Sequence, residues 1–111
     1  MEITFKSRKL QKVCNSGKEL IKKYGEKCAR KFGSRLDDLQ AVMNLEMFRS
    51  LPGRCHELKG DRKGRLSLDL EHPLRLIFEP SNEDVKMKED GGLDWNSVTA
   101  VKIIDVEDTH D

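Results

Sequence analysis

Long apolar runs are missing from this 111-residue chain, and with them any candidate membrane span, which needs about 18 or more consecutive apolar residues. The opening segment, MEITFKSRKL, has no leader-like apolar stretch, so the expected location is the cytoplasm, with no membrane partner. Cysteine is sparse. Cys14, Cys28 and Cys55 are odd in number, far apart and without a CxxC pair, which argues against a zinc ribbon or a dithiol redox motif and for buried reduced thiols. The histidines are His56, His72 and His110, none of them four residues from another, so no helical metal pair exists. No metal or cofactor is expected. Aromatic residues make up only 5%, too few for a platform that stacks single-stranded bases. No internal repeat or low-complexity tract is present.

What the chain does have is charge. Charged residues reach 37% and apolar residues 36%, consistent with one domain over 1–111 around a small, well-patterned core. The formal net charge of +1 hides an asymmetry. Met1–Arg35 holds 11 Lys/Arg against 3 Asp/Glu, whereas Leu36–Asp111 holds 10 against 17. Six cations, Arg49, Arg54, Lys59, Arg62, Lys63 and Arg65, nevertheless cluster inside the acidic part. Segregated charge of this kind steers association with polyanions or with an acidic protein, although solvated helix faces account equally well for the N-terminal block.

The pattern divides the chain into a helical half, 1–49, and a sheet half, 50–111. Ile3–Phe5 reads as a short strand and Ser7 as a helix N-cap. Leu10, Val13, Cys14, Gly17, Ile21 and Tyr24 recur at helical spacing. Gly17 lies on that stripe, where it would permit close packing, but Asn15-Ser16-Gly17 can equally split the helix. After Gly25 a second helix is predicted from about Glu26 to about Asn44, with Cys28, Phe32, Leu36, Leu39 and Met43 inward. Strands are predicted over Arg54–Lys59, Arg65–Glu71 and Leu74–Phe78. Leu66, Leu68 and Leu70 alternate with Ser67 and Asp69, so one sheet face is apolar and the other polar and open. A long connection, 80–96, precedes a final strand, Val98–Val106, apolar on both sides as a central strand would be. The expected fold is α+β: a short N-terminal strand and a two-helix hairpin on one face of a mainly antiparallel sheet of four to five strands.

On the open face, Arg65, Ser67, Arg75 and Lys59 would bring several cations to one anion-sized spot, since guanidinium binds phosphate bidentately and lysine binds it as a point charge. RNA cleavage by the 2′-hydroxyl needs a base, cations for the developing phosphorane charge, and an acid for the leaving 5′-oxygen. His56 and His110 have the right chemistry for acid and base, and Asp108 can orient a histidine or act as a base. Regular strand geometry, however, sets His56 and Lys59 on opposite faces, and His56 shares parity with Leu58, where a histidine simply packs at a core edge.

Three segments, HELKGDRKG at His56–Gly64, RLIFE at Arg75–Glu79 and the terminal VEDTH, together resemble the HigB-like plasmid maintenance killer toxins of the RelE/ParE superfamily. The resemblance implies the toxin of a type II toxin–antitoxin pair, cleaving mRNA in the ribosomal A site and held inactive by a helix-turn-helix antitoxin. It places His56, Lys59, Arg75, Asp108 and His110 at active-site positions, with Arg62, Lys63, Arg65 and Ser67 as substrate contacts. Two positions depart from the family pattern. Thr109 stands where the family has tyrosine, and Glu71 stands where it has an arginine, putting a charge there that repels phosphate. The 80–96 connection is also longer than in compact members, and Trp95 within it is a stacking candidate. The alternative reading is a non-nucleolytic protein of the same fold, either gyrase-directed or inactivated, that binds its antitoxin.

Overall fold

The computed structural model describes residues 1–108. The chain runs β1 (Glu2–Phe5), α1 (Arg8–Cys14), α2 (Gly17–Tyr24), α3 (Glu26–Ala41), β2 (His56–Glu57), β3 (Leu66–Asp69), β4 (Leu74–Pro80) and β5 (Ala100–Asp108). Short 3-10 turns lie at Leu45–Ser50, Gly60–Arg62 and Trp95–Ser97. The described strands form one sheet in the order β1-β5-β4-β3-β2, with β1 parallel to β5 and the other pairs antiparallel.

Two serines punctuate the first helical arm. Ser7 Oγ accepts from Leu10 N at 3.1 Å and Ser16 Oγ from Glu19 N at 3.2 Å. Each satisfies an amide that the helix start leaves open. The second cap splits the arm into α1 and α2. Gly17 therefore starts a helix instead of admitting a neighbour, and no atom stands where its Cβ would meet one. Helix α3 buries Cys28, Phe32 and Leu39 as predicted but ends at Ala41, earlier than its apolar spacing suggests. Val42 turns extended and enters the core, so Met43 falls outside it and is 78% exposed.

The sheet buries Leu66, Leu68, Leu76, Phe78, Val101 and Ile103 in the same core as α3. Strand β5 lies between β1 and β4, the interior place its two apolar faces call for. Between Ile77 and Phe78 its register shifts by one residue and leaves Ile104 as a bulge. The predicted Arg54–Lys59 strand shrinks to two residues because Gly53 (φ 114) and Arg54 (φ 48) turn the chain just before it.

The helix-free face is not simply polar and open. Ser67 and Ile77, cross-strand partners there, are both fully buried. This corrects the reading of Ser67 as a solvent-facing contact. Its Oγ has no hydrogen-bond partner.

The long connection is tied down at both ends. The Asn82 side chain donates to Ser97 O at 2.8 Å and accepts from Thr99 N at 3.0 Å. Glu57 accepts from Leu93 N at 2.9 Å and from Trp95 Nε1 at 3.0 Å. Trp95 is buried, with the Arg49 guanidinium 3.9 Å from its ring centre, so it is a packing residue and offers no face to a base. Glu57→Ala leaves the Trp95 N–H without its acceptor and is expected to cost about 1–3 kcal/mol. Denaturant unfolding checks this, together with a red shift of Trp95 emission as the connection loosens. An unchanged midpoint and spectrum would contradict the latch.

Candidate functional site

Strand register decides what the helix-free face presents. Asp69 stands opposite Arg75 on β3 and β4, and Arg75 opposite Glu107 on β4 and β5. Adjacent strands lie about 4.8 Å apart, so these three form one transverse row. Both ends are extended by arginines from elsewhere. Arg54 Nε donates to Asp69 Oδ2 at 2.6 Å, and Arg75 Nε lies 3.4 Å from Asp69 Oδ1. Arg62, from the turn after edge strand β2, pairs with both oxygens of Glu107 on β5, so its side chain reaches across β3 and β4. The row reads Arg54, Asp69, Arg75, Glu107, Arg62, with alternating sign.

His56 is set beside this row. It stands opposite Ser67, on the same face as Asp69 and Arg75. Its Nδ1 lies 2.8 Å from Arg54 O. A carbonyl only accepts, so Nδ1 carries the proton in the neutral ring and Nε2 keeps its lone pair. The carbonyl is aimed there by the left-handed backbone of Arg54, a costly conformation for a residue with a side chain. Gly53 makes the preceding turn possible. A Cβ at that position would come 2.8 Å from Arg35 Nε and 3.0 Å from Leu68 Cδ2. Gly53 O in turn accepts from Asp69 N at 2.7 Å, tying this corner to β3.

Partial burial alone would raise the pKa of Asp69. The hydrogen bond from Arg54, the Arg54 charge, Arg75 and His56 outweigh it and hold the carboxyl below its ordinary range. Burial pushes the Cys55 thiol up to about 12 and the Cys14 thiol up to about 11, so neither is a thiolate nucleophile near neutral pH. Among the described residues no group of three or more His, Cys, Asp or Glu is placed to hold a metal ion, and no helix is long and apolar enough to cross a membrane.

No protein-family model matches the chain, and no curated protein matches it in sequence. Solved structures match it over almost its whole length. A YoeB/ParE toxin from Agrobacterium tumefaciens superposes with a TM-score of 0.61 at 12% identity, covering 99% of this chain and 100% of that one. A YoeB dimer structure from Staphylococcus aureus gives 0.58 at 16% identity, over 100% and 98% of the two chains. The chain has the YoeB/ParE toxin fold.

Within that YoeB/ParE fold the expected site residues separate into groups. His56, Arg62 and Arg75 come together on the helix-free face. Lys59 and Lys63 do not join them. They line a cleft of about 420 Å³ with Glu57, Gly60, Asp90, Gly91 and Gly92, on the side to which Glu57 points. Arg65 is half-buried beside the β2–β3 turn, its amide bonded to Arg62 O. Asp108 is in register with Leu74, so the strand gives Glu107, not Asp108, to the Arg75 face. Thr109 and His110 lie outside the described residues. Glu71 does not repel anions at this face, because its carboxylate pairs with Lys31 of α3 at 2.9 Å.

Asp69 and Glu107 are the residues that sequence reading missed. Alternation along β3 puts Asp69 on the polar face, but only the β3–β4–β5 register shows that it neutralises the arginines. A carboxyl with a depressed pKa contributes stability above its unfolded value of about 3.9 and loses it as pH falls through the folded value. The stability difference between wild type and Asp69→Asn is therefore expected to be largest near neutral pH and to shrink below about pH 4. Denaturant midpoints across pH measure it. A difference independent of pH would show that the clamp is not ionic.

Proposed function

We propose that this protein is a HigB-like toxin of a type II toxin–antitoxin pair and cleaves mRNA on the ribosome in the cytoplasm, with a helix-turn-helix antitoxin as its partner. The fold likeness to YoeB/ParE toxins supports the toxin reading in general. The observation that carries the nuclease reading is the Arg54 O···His56 contact, which holds the proton on Nδ1 and leaves the Nε2 lone pair of an imidazole set beside the arginine row. In this reading His56 Nε2 takes the proton of the 2′-hydroxyl. The 2′-oxygen forms a bond to phosphorus and the bond to the 5′-oxygen breaks, leaving a 2′,3′-cyclic phosphate. Arg75, Arg54 and Arg62 stabilise the charge on the phosphorane oxygens. His110 returns a proton to the 5′-oxygen. Lys59 and Lys63, in their separate cleft, contact flanking phosphates, and Arg65 does so from the turn.

One observation favours the second reading, a non-nucleolytic toxin of the same fold. Its arginines are already paired with Asp69 and Glu107, and Thr109 cannot donate as tyrosine would. Induced expression followed by primer extension separates the two. Growth arrest relieved by the neighbouring helix-turn-helix protein is expected in both cases. Primer extension on ribosome-bound mRNA shows cuts only for the nuclease. There His56→Ala is expected to lose about 10²–10⁴-fold in cleavage and Arg75→Ala about 10²–10³-fold. Absence of cuts, or wild-type cleavage by both variants, would reject the nuclease reading.

A further inference from the structure

We propose that Asp69 and Glu107 are positioning residues that occupy the guanidinium groups of Arg54, Arg75 and Arg62 in place of phosphate, so that nucleic acid binds this face by anion exchange. The inference rests on the reading above in one respect, that the face takes nucleic-acid phosphates. It does not need cleavage.

Geometry carries it. Asp69, Arg75 and Glu107 are consecutive in one cross-strand row, so strand register fixes the backbone positions from which both carboxylates project. Asp69 is shared by two arginines, at 2.6 Å from Arg54 Nε and 3.4 Å from Arg75 Nε. Both oxygens of Glu107 accept from a single nitrogen of Arg62, Nη2. A carboxylate and a phosphodiester each present two oxygens sharing one negative charge, and the arginine fork fits both. The internal anions therefore hold the guanidinium groups in orientations that suit an incoming phosphate.

They also set what binding yields. The row carries three positive and two negative side chains, so its net charge is only +1 with His56 neutral. Free arginines on an open face would each release a counterion from single-stranded nucleic acid, adding about 0.7 to the slope of log affinity against log salt. An arginine already neutralised by its own carboxylate gives up that internal partner instead. The face should therefore bind with less salt dependence than three arginines imply. Geometry would select the ligand more than bulk charge does, with Asp69 and Glu107 repelling phosphates that do not sit between them.

The test uses the full chain and a short 2′-O-methyl RNA, which cannot be cut by 2′-hydroxyl attack. Fluorescence anisotropy gives affinity across a salt series for wild type, Asp69→Asn, Glu107→Gln, the double variant and Asp69→Glu. Each neutral variant is expected to bind several-fold tighter at low salt, with a slope steeper by about 0.7 per freed arginine. The double variant is expected to add both shifts, and Asp69→Glu to keep the wild-type slope. A purely structural role would lower the melting temperature without steepening the slope. If Asp69→Asn fails to fold, Glu107→Gln carries the test alone. Slopes unchanged or shallower in the folded variants would overturn the proposal. Steeper slopes in the neutral variants of a protein that never cuts mRNA would leave it standing while the nuclease reading fails, and cleavage with slopes unchanged between wild type and variants would do the reverse.

Discussion

Everything on the helix-free face depends on the register in which β3, β4 and β5 meet. That register is fixed from the other side. Leu66 opposite Phe78, Leu68 opposite Leu76 and Phe78 opposite Ile103 bury an unbroken apolar surface against α3. Side chains alternate along a strand, so a slip of one residue would expose all of these and bury the charges instead. Hydrophobic burial thus determines which arginine meets which carboxylate. The bulge at Ile104 belongs to the same constraint. It lets Phe78 keep Ile103 while Leu76 takes Val106, and so brings Glu107 opposite Arg75.

A second dependency joins His56 to the fold. Its neighbour Glu57 faces the other way and anchors Leu93 and Trp95 of the long connection. The two-residue strand β2 is therefore gripped on one side by that latch. On the other it is held by the left-handed turn at Gly53-Arg54, whose carbonyl orients the imidazole. A residue aimed by backbone strain and locked by a buried tryptophan is pre-organised without a large contact area of its own. The conserved shape of the fold across chains only 12% and 16% identical fits this division of labour. The core pattern holds the scaffold, while the turns and strand ends decide what the open face carries.

Much of this was legible in the residues. Alternation along Arg65–Glu71 identified the inner leucines, and the two-sided apolar character of the last strand placed it inside the sheet. The α+β class followed. Local competition was harder to read: Ser16 as a cap against Gly17 as a packing gap, or Val42 leaving the helix in place of Met43. Long-range partners were not readable at all. Trp95 looks exposable until Glu57 and Arg49 are seen on it. The cation cluster looks like a bare phosphate site until strand register sets Asp69 and Glu107 among the arginines. His56 and Lys59 are close in sequence, yet β2 ends at Glu57 and Lys59 already belongs to the following turn, where it lines the separate cleft.

The arginine row is closed by Arg62, which reaches across the sheet to Glu107. Both side chains are about 30% exposed, so the pair is sheltered enough for its coupling to be measurable. A double-mutant cycle with Arg62→Gln and Glu107→Gln, read from denaturant unfolding at low salt, measures it directly. A favourable coupling of about 0.5–3 kcal/mol is expected. Additive effects, with no coupling, would mean that the arginine row is not closed by its own carboxylates.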